Sequence, residues 1–206
     1  MKLNQTVAVI RTYCNPDILK QVRALRKFLP LIIVVVKNDQ DNGSTRAWLD
    51  ELNDPAVRAI EMDTGYTWSN ALNRSLSEID QINAKREHDD RMSYKAVFNV
   101  SVEAQFLKED VEAMLAELNE TNVGAVGTSF RGIQEGNEIS LGRSYRHPRN
   151  TGMIVRLSAF EQRFTRDFDS WCDDQGGMED IDFIYRLRVF AGLATRMVDR
   201  RVRLFV

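Results

Sequence analysis

LIIVVVKND, Leu31 to Asp39, is the stretch that decides the fold. Five of its first six residues are β-branched, and no polar residue alternates with them. A strand that is apolar on both faces is the mark of a parallel strand buried in the middle of a sheet. Pro30 separates it from what precedes, and the turn-rich NDQDNGST (Asn38 to Thr45) ends it. A strand buried on both sides needs a layer of helices above and below the sheet.

Working outward, the same alternation extends in both directions. TVAVIRTY (Thr6 to Tyr13) is a short β-rich run, and Ile18, Val22, Leu25 and Leu29 fall on one helical face of Asp17 to Leu29. Downstream, TRAWLDEL reads as a helix, VRAIEMD as a strand, and TWSNALNRSLSEIDQI as a helix with Trp68, Leu72, Leu76 and Ile79 in register. YKAVFNVSVE is strand-like, EDVEAMLAELNE a helix with an acidic start, and VGAVGTSF and MIVRL two more strands. SAFEQRF and IDFIYRLRVFA read as helices, and ATRMVDRRVRLFV closes the chain with the alternation of a half-exposed edge strand. The expected fold is α/β: a mostly parallel sheet flanked by helices, in a single domain over residues 1–206.

Composition narrows the function. The chain has 206 residues, 43% apolar and 28% charged, an ordinary globular balance. A net charge of −2 gives no overall attraction to nucleic acid or to an anionic membrane. The longest apolar run, Phe28 to Val36, is far short of the ~20 residues that span a bilayer. Nothing at the start reads as a secretion signal, so a soluble, cytoplasmic protein is expected. Cys14 and Cys172 lie far apart, outside any C-x-x-C pattern, and with His88 and His147 as the only histidines no zinc-type spacing exists.

In open parallel sheets, ligands bind beyond the carboxyl ends of the strands, near a switch in strand order. Chemistry is therefore expected in the loops after the strands: residues 11–15, 38–44, 63–66, 99–103 and 130–132. Neither a G-x-G-x-x-G fingerprint nor a P-loop is present, and the first loop, RTYCNPD, has no glycine. That loop also disfavours a nucleotidyltransferase. The polar strand ends are Thr12, Asn15, Asn38, Asp39, Asn73, Arg74, Asn99, Ser101 and Glu103.

The ordered set of segments resembles family-2-like glycosyltransferases of the GT-A fold. VAVIRTYCN is similar to that family's V-x-I-P-T-Y-N opening, with Arg11 in place of proline. IIVVVKNDQDNGST is similar to the strand ending V-D-D-G-S-T-D, with Asp39 as the best match to the acid that holds the donor nucleobase. NALNRSL resembles A-x-N-x-G, NTGMIVRLSAFEQ the strand and helix leading to the acceptor side, and GGMEDIDFIYRLRVFAG the E-D-x-D-x-x-x-R-L-x-x-x-G element. The resemblance implies a nucleotide-diphosphate sugar donor, with Thr12, Asn15 and Asp39 near the nucleoside and Asn73 and Arg74 near the diphosphate. It implies Asp180 as the general base of an inverting transfer, with Glu179 positioning the acceptor or the loop.

Two readings of the acidic start at Glu179, Asp180 and Asp182 stand side by side. Carboxylates in a first turn are stabilised by the helix dipole, by about 0.3–1 kcal/mol each, and Asp182 can pair with Arg186 one turn on. Alternatively, Asp180 removes a proton from an acceptor hydroxyl within hydrogen-bond reach, and the dipole favours the ionised form that a base requires.

One departure bears on the metal. Where the family has D-x-D, this chain has Asn99 and Ser101, with Glu103 two residues further on. Magnesium and manganese prefer anionic oxygens. Either Glu103 and Asn99 hold a weak metal, or arginines replace it, or sugar transfer has been lost and a nucleotide- or glycan-binding module remains. The stretch Arg131 to Arg149 carries four arginines and His147 against two glutamates, so Arg143, Arg146 and Arg149 are the candidates to hold the diphosphate in metal's place. A solvated surface loop is the plain alternative. A retaining transferase shares the fold and would not use Asp180 as base.

Overall fold

The computed structural model describes residues 1–12, 14–37, 41, 43–63, 67–86, 93–134, 137–139, 151–160 and 179–205. Among these, β2 (Leu31–Lys37) is buried over its six apolar residues, as its composition requires. It pairs in parallel with β1 (Thr6–Thr12) on one side and with β3 (Val57–Met62) on the other. β4 (Ala96–Val100) joins the far side of β1, also in parallel. The chain thus winds outward through β1, β2 and β3 and then returns to the other side of β1. The change of direction between β1 and β4 is a topological switch point.

Beyond β4 the sheet continues through β8 (Gly152–Arg156), β6 (Val123–Gln134), β9 (Ala194–Phe205) and β5 (Ala104–Gln105), with β7 (Asn137–Ile139) paired to β6. β8 is antiparallel to both β4 and β6, so β6 and β9 run the same way as β1 and β4. The mostly parallel sheet expected from the sequence is present. β9 is an edge along most of its length, as expected, but β5 covers its end at Arg203 and Leu204.

Helices cover both faces. Alternate residues of the strands send Ala8, Ile10, Ile32, Val34 and Phe98 into one core with α1 (Ile18–Arg26), α2 (Ser44–Leu52) and α4 (Lys108–Leu118). Val7, Val9, Ile33, Val35 and Val97 enter the other core with α3 (Trp68–Ala84) and α5 (Glu179–Val189). The α3 stripe is Leu72, Leu76 and Ile79, at the spacing read from the sequence, and Thr67 caps the helix by accepting from the Asn70 N–H at 3.1 Å. α5 ends where Gly192 adopts φ +66 and the Leu193 N–H reaches back to the Leu187 carbonyl at 3.0 Å. The Ala191 N–H also reaches the Arg186 carbonyl at 3.3 Å, so long back-bonds close the end of the helix, and the left-handed conformation just beyond is one that glycine adopts without steric cost.

The sequence overran three elements. The strand expected to reach Glu103 stops at Val100, and residues 101–103 form a turn. α1 covers Ile18 to Arg26 rather than Asp17 to Leu29. The helix expected from Ser158 begins as a 3-10 turn, Leu157–Phe160, and its remainder lies outside the described residues. No helix among the described residues is long and apolar enough to cross a membrane.

Candidate functional site at the switch point

The carboxyl ends of β1 and β4 flank the switch point and form one rim of the sheet. Ile10 lies opposite Val100 in the ladder, so Ser101 is the first residue beyond that level after β4, and Thr12, the last residue of β1, is the second beyond it on the neighbouring strand. Thr12 is 4% exposed, and its Oγ1 is buried without a hydrogen bond among the described residues. The Ser101 Oγ is in the same condition, and so is that of Ser69, in the first turn of α3 just after β3. A buried hydroxyl with no partner costs on the order of 1–3 kcal/mol. All three lie towards the end of the sheet where the parallel strands have their carboxyl ends.

The loop after β2 is tied to the loop after β1. Asp41 is fully buried, and its Oδ1 accepts from the Cys14 backbone N–H at 2.7 Å. Its Oδ2 accepts from the Thr45 N–H at 2.8 Å, and the Thr45 hydroxyl donates to its Oδ1. Cys14 is exposed and adopts φ +39, a left-handed conformation that is unusual for a non-glycine residue. One carboxylate therefore fixes both the start of α2 and the turn at the end of β1. Sequence reasoning missed this residue. The acid it favoured, Asp39, lies outside the described residues, although the D-x-G-S-T spacing that puts Asp41 four residues ahead of Thr45 was visible.

The turn after β4 is anchored from below. Gln21 on α1 is buried, and its Nε2 donates to the Ser101 carbonyl at 3.2 Å and to the Ala104 carbonyl at 2.8 Å. Phe106 packs edge-on against Phe98 at 4.8 Å and Phe130 at 6.1 Å between centroids. Gly152 makes that possible, because a Cβ there would collide with the Phe106 ring and come within 2.9 Å of Phe130. Gln21 and Ser69 are further residues with no signal in the sequence to single them out.

The expected site residues divide accordingly. Thr12 and Ser101 stand at the switch point. Asn15 uses its Oδ1 to accept from the Asp17 N–H at 3.0 Å, an Asx-type cap that starts α1. Asn73 is half-buried and Arg74 exposed on α3, in the turn after Ser69. Asn99 is 3% exposed within β4, opposite Val9 and Met153, and so belongs to the sheet interior. Glu103 is exposed on the turn and, with Asp17, Lys20 and Gln21, lines a cavity of about 310 Å³ on the α1 side. Arg143, Arg146, Arg149, Asp39 and the side chains of Glu179 and Asp180 lie outside the described residues.

The backbone of α5 nonetheless has a direction. Its last turn packs Leu187 against Gly124 at the start of β6, and the chain then reverses into Ala194 opposite Val123. α5 therefore runs against β6 and β9, and its first residues, Glu179 and Asp180, lie towards the carboxyl ends of the parallel strands. Asp182 pairs with Arg186 at 2.7 Å, as its spacing implied.

The donor set does not fit a tightly held magnesium or manganese ion. An amide at 99, a hydroxyl at 101 and one exposed carboxylate at 103 offer a single anionic ligand. Among the described residues no three Asp, Glu, His or Cys side chains converge.

The sequence matches no protein-family model and no curated protein. Its structure is similar to a solved one, the crystal structure of GalNAc-T7 with UDP, GalNAc and Mn2+, with a TM-score of 0.70 over 98% of this chain. The chain has a GT-A-type fold. Identity to that structure is 10%, which carries the architecture and no more, and the match spans 44% of the other chain. The fold expected from the sequence is the fold observed.

Proposed function

We propose that this chain is a glycosyltransferase that takes a nucleotide-diphosphate sugar at the switch point between β1 and β4. The observation that carries the reading is the set of buried, unpartnered hydroxyls of Thr12, Ser69 and Ser101 along one rim. A nucleoside diphosphate presents many hydrogen-bonding oxygens, which satisfy such hydroxyls once the rim opens to admit it. The GT-A-type fold supports the same choice, since the similar solved structure contains UDP, GalNAc and Mn2+.

In this reading Thr12 and the 12–15 loop meet the nucleoside, with Asp39 beside the base. Asn73 and Arg74 stand near the diphosphate. Asp180, at the rim end of α5, removes the proton of the acceptor hydroxyl as that oxygen attacks the anomeric carbon. The sugar–phosphate bond breaks on the opposite face, so configuration inverts, and Glu179 positions the acceptor or the loop. Arg143, Arg146 and Arg149 neutralise the departing diphosphate, a task that a guanidinium performs through paired hydrogen bonds. The family-2-like assignment, and a single transferase domain across residues 1–206, belong to the same proposal.

A second reading has its own observation. With Asn99 buried in the sheet and Ser101 beyond it, the position of D-x-D has no acid, as in a binding module that kept the fold without the transfer. A panel of nucleotides and nucleotide-sugars, with and without Mn2+, separates the two. Saturable binding with slow release of sugar to water supports the transferase, binding with no hydrolysis or transfer supports the module, and binding of neither class of ligand removes both. Strict dependence of turnover on metal would remove the arginine role.

A further inference from the structure

We propose that the outer face of α5 is the centre of a two-fold interface between two copies of this chain. The inner face of α5 is spent on the core through Phe183, Ile184 and Leu187. Its outer face carries Ile181, Tyr185 and Val189 at successive four-residue steps, 37%, 57% and 54% exposed. Phe190, 50% exposed, extends the stripe by an edge-to-face contact with Tyr185 at 6.3 Å. A helix apolar on opposite faces has the pattern of one covered on both.

The stripe says what covers it. Fully exposed, a large aromatic side chain presents about 150–250 Å², so Tyr185 and Phe190 leave about 160–270 Å² open, and the smaller Ile181 and Val189 bring the patch to roughly 350–400 Å², the scale at which an apolar patch marks an interaction site. That is about half of the ~800 Å² per partner of a standard interface, and suits its core. The helix is also self-complementary about Tyr185. In an antiparallel pair centred there, Ile181 comes level with the partner copy's position 189, and Asp182, paired with Arg186 of its own helix at 2.7 Å, comes level with position 188, an arginine that within each copy donates to the Thr195 hydroxyl at 2.9 Å. Acidic residues stand at the start of α5, and Arg186 and Arg188 stand in its last turn. Antiparallel packing thus sets each acidic end against a basic end and opposes the two helix dipoles. A lipid surface fits less well, because the acidic first turn lies on the same helix.

The test uses the full chain in sedimentation, with mass as the readout and no dependence on activity. Wild type should form a reversible dimer. Tyr185→Asp should raise its dissociation constant by about 30-fold or more, as for loss of a central aromatic contact, and Arg188→Glu should weaken it in a salt-dependent way. In a Cys14→Ser, Cys172→Ser background, Tyr185→Cys should cross-link to itself under a mild oxidant while Glu51→Cys on α2 does not. The cross-link decides the matter if Tyr185→Asp fails to fold. A wild type that stays monomeric at high concentration, a dimer indifferent to both Tyr185 and Arg188, or a monomer captured instead by phospholipid vesicles would overturn the proposal.

Discussion

Asp41 accepts a hydrogen bond from the backbone of Cys14 at 2.7 Å, joining two loops separated by 27 positions in sequence. Because Asp41 is fully buried and also holds the start of α2, it sets the shape of the rim without facing solvent. Asp41→Ala should cost about 3–5 kcal/mol, since donors that lose a buried anionic partner are left unpaired. Asp41→Asn keeps one acceptor oxygen and should cost less. Urea unfolding of both variants checks the order, and equal losses would show that the charge is not the clamp.

Thr12→Val and Ser101→Ala probe the unpartnered hydroxyls. Removing a buried hydroxyl that makes no hydrogen bond should leave stability unchanged or slightly raised. The same variants should each weaken nucleotide binding by about five- to tenfold, as expected for one lost hydrogen bond of ~1 kcal/mol or more. Calorimetry and thermal melting, run side by side, read both quantities. Loss of stability with unchanged binding would assign these residues to the fold alone.

Gly152→Ala places a methyl group in the Phe106 and Phe130 rings. Overpacking of this kind costs about 1–3 kcal/mol. Phe106→Leu on its own should also destabilise, but the double variant should be more stable than the sum of the two losses allows. A double-mutant cycle measures that coupling. Additive losses would mean that the turn after β4 adjusts freely.

The Arg26–Asp54 pair gives stability a pH dependence. The Arg26 guanidinium, 2.7 Å away, and then the Ala56 N–H hold the Asp54 carboxyl below its ordinary value. A carboxyl lowered on folding contributes stability above its unfolded value, near pH 4, and that contribution is lost as pH falls through the folded value. Asp54→Asn should therefore flatten part of the acid limb of the stability curve and change little in its slope above pH 6. Each partner is about a quarter exposed, so screening keeps the effect small. An acid limb identical to wild type would contradict the assignment.

The fold was legible because its signals are local and repeated. The unbroken β-branched run at Ile32 to Val36 marks a strand buried on both faces, and the spacing of Leu72, Leu76 and Ile79 marks a helix against one of them. The site was legible only in outline. Thr12 and Ser101 could be placed at strand ends, but nothing in a sequence says which hydroxyls lack a partner, because that depends on what the sheet brings near them. Asp41 was hidden because its role is a contact across 27 residues, while resemblance drew attention to Asp39. The turn at 101–103 was read as strand because Val100 and Val102 continue the alternation. β4 ends where the Ser101 and Ala104 carbonyls turn to accept from Gln21, a helix residue some 80 positions earlier.

The most direct measurement compares wild type with Asp180→Asn for two quantities at once: the rate of sugar release or transfer from the donor, and the dissociation constant of the nucleotide. Loss of a general base should lower the rate by about 10²–10⁴-fold while the dissociation constant changes by less than about twofold, since the amide occupies the same space. Undiminished turnover in the variant, or nucleotide binding that disappears together with the rate, would contradict the assignment of Asp180 as the base at this rim.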